Sequence, residues 1–123
     1  MQTNDKQRAS YEKKYREQDK FVFRFNSMLL EARNNIVKTV AVDKDTSSEG
    51  VHKALSPLDD SLATLDSIPA SFPDARLLRA ILVPIVFRLV ETAKDYQNEK
   101  IGMEGLDRAF DDARIYSIML YGK

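Results

Sequence analysis

From Tyr11 to Val40, apolar or neutral residues return every three or four positions: Tyr11, Tyr15, Gln18, Val22, Phe25, Leu29, Ala32, Ile36 and Val40. That spacing draws one face of an α-helix, whereas a strand would alternate. Neither Pro nor Gly interrupts it, so one long helix is expected from a cap at Thr3 or Asn4 to about Asp43. The run Phe21-Val-Phe-Arg-Phe25 is the one stretch where alternation competes, as a short strand.

The next pattern places Val51, Leu55, Leu58, Leu62 and Leu65 on one face. Thr46 and Glu49 have capping-box spacing at its start. Pro57 lies inside this helix, and Ser56 with Asp59 reads as a fresh cap, so a short helical turn precedes the main one. A third helix is expected from about Pro73 to Gln97, the most apolar in the chain, with Pro84 in its interior. That proline removes a backbone hydrogen bond and predicts a kink, with flanking residues fitted to the bend. A fourth helix runs from about Leu106 to Gly122, with Ala109, Phe110, Ala113, Tyr116 and Leu120 together.

These elements predict an all-α fold: an antiparallel four-helix bundle with an overlong N-terminal helix and a Pro-kinked third helix. The 123 residues fit a single helical domain. At ~1.5 Å per residue the first helix outruns the third by roughly 20 Å, so residues 1–20 are expected to project or fray.

Composition then narrows the chemistry. Formal net charge is zero, but residues 1–44 carry ten Lys/Arg against six Asp/Glu, and 45–123 carry nine against thirteen. A basic first helix is thus expected to meet the acidic remainder, within a chain or between chains. There is no cysteine, which excludes disulfides and thiolate ligands, and the single His52 cannot build a multi-histidine metal site. The polar N-terminus lacks the apolar segment of a signal peptide, and the run Ala80–Phe87 is far short of the ~20 residues of a membrane span. A cytoplasmic location is the expectation.

No nucleophile elbow or phosphate-cradling glycine loop is present. Asp43-x-Asp45-x-Ser47 opens like a calcium loop but has Ser48 and Ala54 where an EF-hand needs Gly and Glu. Glu104, Asp107, Asp111 and Asp112 crowd the last helix without a Glu-x-x-His motif, and three of them suit a helix start. No cofactor, metal or catalytic residue is expected. Arg88 stands out, near the middle of a Leu77–Ile81–Ile85–Thr92 face that ought to be core. It is expected to be rotated to the bundle edge by the Pro84 kink, or to pair with an acid such as Asp66 or Asp111, or to act as a recognition residue for a carboxylate or phosphate.

On the far side of the first helix, Phe23, Leu30 and Val37 form a second apolar line spaced by seven, where a bundle should be polar. With Tyr11 and Tyr15 on the projecting end, these are the candidate residues for a partner or dimer seam. The expected function is a non-enzymatic helical interaction protein: a small adaptor, regulator, immunity-type or assembly accessory protein that forms a homodimer, binds another protein, or both. The alternative is a nucleic-acid accessory protein using Lys6, Arg8, Lys13, Lys14, Arg16 and Lys20, although interleaved acids leave a weak phosphate footprint.

Overall fold

The computed structural model describes the backbone of residues 2–121, and the side chains of residues 6–117 except Tyr11. These residues form five α-helices and one π-helical turn: α1 (Gln2–Val37), the π turn (Lys38–Val42), α2 (Ser48–Ala54), α3 (Ser56–Asp66), α4 (Ala75–Gln97) and α5 (Met103–Tyr121). The fold is all-helical, with five α-helices where a four-helix bundle is expected. The difference is α2: the short helical turn expected before the main helix is a separate helix, divided from α3 at Leu55. Phe21–Phe25 is helical, because its residues continue the apolar stripe of α1.

The core draws on every helix: Phe25, Leu29 and Ile36 of α1, Leu58 and Leu65 of α3, Leu78, Leu82 and Val86 of α4, and Leu106 and Phe110 of α5, with Val51 and Ala54 of α2 at its edge. α1 packs against α3 and α5, and α4 packs against the same two helices. The third predicted helix, α4, is therefore not the main neighbour of α1. The two meet through the shared core from opposite corners.

α1 has 36 residues and α4 has 23, a difference of roughly 20 Å. Full burial along α1 begins at Gln18 among the described residues. Its Nε2 donates to Asp74 Oδ2 (3.1 Å), and its Oε1 accepts from the Asp74 backbone N–H (3.2 Å). One turn on, the Phe21 ring meets Phe72 edge-on at 5.8 Å between centroids. Before Gln18, residues 6–10, 12–14, 16 and 17 are exposed and Tyr15 is half-buried. The helix already runs at Gln2, so Thr3 and Asn4 are not its caps.

Ends of elements show where local chemistry acts. The π turn at the end of α1 closes with Asp43 N–H donating to Lys38 O (2.8 Å), and Lys44 follows at φ 57°. α2 is capped by Ser47, one residue after the expected Thr46: its Oγ accepts from Gly50 N–H (3.0 Å). Asp45 is committed to the same corner. Its Oδ1 accepts from the Ser47 hydroxyl (2.6 Å) and N–H (2.9 Å), and these two bonds hold its carboxyl below its ordinary pKa of 3.8. α4 ends in a Schellman closure, Lys100 N–H to Asp95 O (2.8 Å) and Glu99 N–H to Tyr96 O (3.2 Å), with Glu99 at φ 61° where glycine is usual.

α4 is continuous through Pro84, which is exposed. Its buried residues are Ala75, Leu78, Leu82, Val86, Leu89 and Ala93, so the core face is turned away from the expected Leu77–Ile81–Ile85 line. The proline is therefore outside the packed face, contrary to the expectation that neighbours are fitted around it. Pro84→Ala restores a donor for the Ala80 carbonyl and improves helix propensity, offset in part by a more flexible unfolded chain. A gain of about 1–2 kcal/mol in a urea melt is expected, and a loss would show that packing depends on the ring.

Candidate apolar groove between α4 and α5

The sequence of α4 between Leu77 and Val90 is apolar on every side except at Arg79 and Arg88. A helix of that kind is normally buried all round. Here only one half is covered. The opposite half presents Leu77 (48% exposed), Ala80, Pro84 and Phe87 (57% exposed), at spacings of three and four.

Between this surface and α5 lies a groove of about 680 Å³. Its α4 wall is Ile81, Pro84, Ile85 and Leu89, and its α5 wall is built on Gly105, Ala109, Ala113 and Tyr116. The small α5 side chains keep that wall low. With no N–H on Pro84, the Ala80 carbonyl at this surface lacks its helical donor. The charged groups around the groove are Arg88, Arg108 and Asp112. Arg108 is held by Glu104 at 3.4 Å, while Arg88 and Asp112 have no ion-pair or side-chain hydrogen-bond partner among the described residues.

Arg88 thus stands at an edge between helices and not in the core, because the burial phase of α4 differs from the one expected. Neither Asp66 nor Asp111 pairs with it. The end of α3 is held by Arg79, which sequence reasoning passed over: its Nε donates to Leu65 O (3.1 Å), and its Nη2 to Ile68 O (2.9 Å) and Asp66 O (3.2 Å). Asp111 approaches Arg114 at 3.8 Å, and Asp107 holds Arg33 at 2.6 Å. Three of the four α5 acids therefore have an arginine partner. Among the described residues, no three His, Asp or Glu side chains come together to hold a metal, and no helix is long and apolar enough to cross a membrane.

Of the predicted seam residues, Phe23 is 75% exposed and Leu30 39% exposed, while Val37 is half-buried against the core. Tyr15 is half-buried, and the Tyr11 side chain lies outside the described residues. The basic residues Lys6, Arg8, Lys13, Lys14, Arg16 and Lys20 are all exposed, and His52 is exposed on α2. The groove itself was readable in principle, from an α4 stretch with no polar face.

Comparison with protein-family models, with curated proteins and with solved structures finds no match to this chain.

Proposed function

We propose that this chain is a non-enzymatic helical interaction protein, an adaptor, regulator, immunity-type or assembly accessory protein, whose α4–α5 groove receives an amphipathic helix of another protein. The observation that carries this reading is the uncovered half of α4, an apolar surface that its own chain leaves to solvent. Large exposed apolar patches with polar rims are the usual mark of protein contact sites. A helix laid in the groove brings anchors at three- and four-residue spacing against Ile81, Ile85 and Ala113. A carboxylate on that helix meets Arg88, whose guanidinium suits a planar acidic partner.

The test is photo-crosslinking in the native cell with a benzophenone amino acid at position 81. Covalent adducts to one defined protein, lost when Ala109→Glu fills the groove, are the expected result. Adducts to nucleic acid or small molecules alone, or none at all, would overturn the reading.

One observation favours a nucleic-acid contact as the second reading. With ~100° per residue, Lys6, Lys13, Arg16, Lys20 and Arg24 fall within roughly 80° of each other on the exposed side of α1. The acids Glu12 and Asp19 lie on one adjoining side, and Glu17 borders Lys6 and Arg24 on the other. Such a stripe engaging five phosphates gives a log–log salt slope of about −4 in a gel shift. No shift at low salt removes this alternative.

A further inference from the structure

We infer that a second copy of this chain docks on the α1–α5 face, antiparallel, with the two-fold axis passing between Asn26 and Ser27. This face is separate from the α4–α5 groove, and the inference stands or falls independently of it.

Three exposed apolar residues mark the face. Phe23 and Leu30 lie on α1, and Ile115, 54% exposed, lies on α5. Arg33 pairs with Asp107, and the Ser117 hydroxyl donates to Asn26 Oδ1 (2.7 Å), so α1 and α5 run antiparallel. Ile115 precedes Ser117 by two residues and therefore stands near the level of Ser27. The patch is centred there, with Phe23 and Leu30 roughly 5 Å to either side along α1.

Beside Leu30 is a recess of about 250 Å³, lined also by Arg33, Asp107, Phe110, Asp111 and Arg114. The Arg114 Nε is buried there without a hydrogen-bond acceptor. The Arg114 side chain as a whole is 34% exposed, and an aromatic ring set over a guanidinium gains cation–π attraction. The exposed aromatic ring on the same face is Phe23.

An antiparallel pair about residues 26 and 27 sets Phe23 of one copy opposite Leu30 of the other, at the mouth of the recess. Both residues lean toward the same side of α1, about 140–160° from Phe25. In an isologous antiparallel pair, like sides of the two helices meet. The ring is therefore delivered to the recess twice, once in each direction.

The flanking charges agree with this register. Lys20, Arg24 and Glu31 lie together on the other side of the seam, at roughly 220–260°. Glu31 of one copy falls midway between Lys20 and Arg24 of the other. Ser27, exposed and small, sits next to the axis, with its hydroxyl already donating to Phe23 O (3.1 Å). The same register carries the uncovered basic arm, with Lys6, Arg8 and Lys13, along the second copy toward its exposed Asp43 and Glu49. Of these two acids, Glu49 belongs to the acidic remainder that the charge distribution sets against the basic helix.

The experiment uses the full chain, with sedimentation and thiol cross-linking. Wild type is expected to dimerise with a dissociation constant on the order of 10 µM, in keeping with a small apolar centre and exposed charge pairs. The chain has no cysteine, so Ser27→Cys introduces a single thiol beside the axis. Oxidation should convert it to a covalent dimer, while Phe87→Cys stays monomeric on a non-reducing gel. Glu31→Lys should weaken association roughly tenfold. Adding Lys20→Glu and Arg24→Glu should restore it, with unchanged helicity and melting throughout. A monomeric wild type at about 100 µM would overturn the proposal, since a 10 µM dimer is largely assembled there. So would a dimer in which Phe87→Cys cross-links and Ser27→Cys does not, or one indifferent to the charge exchange.

Discussion

Phe25→Ala is expected to lower the free energy of unfolding by about 3–5 kcal/mol, the range for removing a buried aromatic ring. Phe25 is completely buried, on the α1 face that meets α3 and α5. Its neighbours on that face, Val22 and Leu29, are buried as well, and the backbone on either side is rigid helix. The site therefore has little means of closing the cavity. Urea melts of wild type and mutant check this, with a lower midpoint and an unchanged slope as the expected result. A loss of less than about 1 kcal/mol would mean that the surrounding helices collapse into the space.

Arg79→Ala is expected to cost about 2 kcal/mol. One guanidinium donates to the carbonyls of Leu65, Asp66 and Ile68 where α3 ends, and for Leu65 O it adds to a long backbone bond from Ile68 N–H (3.4 Å). Charge-assisted bonds of this kind exceed neutral ones, and their loss leaves acceptors partly shielded from water. The fork geometry matters as much as the charge. Arg79→Lys, which cannot serve three carbonyls from one planar group, should recover less than half of the loss in the same melt. Full recovery by lysine would indicate that only the charge counts, acting on the end of α3 through its dipole.

The long helix and the face it buries were legible in the amino-acid order. Val22, Phe25, Leu29, Ala32 and Ile36 recur at helical spacing with no competing stripe of equal strength, so periodicity alone placed them in the core. The surplus length of α1 followed from counting residues. The exposure of Phe23 likewise agrees with its place on the far side of that stripe.

α4 was different. An amphipathic helix announces its buried side, but a stretch such as Leu77 to Val90 is compatible with several rotations about its axis. Packing against α3 and α5 selected Leu78, Leu82 and Val86, and in doing so left Leu77, Pro84 and Phe87 outside and moved Arg88 to the groove. The separation of α2 from α3 was carried only by Pro57 and the cap-like residues around it, a local signal that does not say whether the chain bends or breaks. Arginine partners on the same helix, Glu104 with Arg108 and Asp111 with Arg114, follow from spacing, but the distant ones do not. Arg33 with Asp107 spans 74 positions, and Arg79 reaches carbonyls that every residue possesses. Periodicity along one chain reports which residues share a helix face. Which two faces meet depends on how the helices rotate against each other, and that is settled only when the whole core is packed.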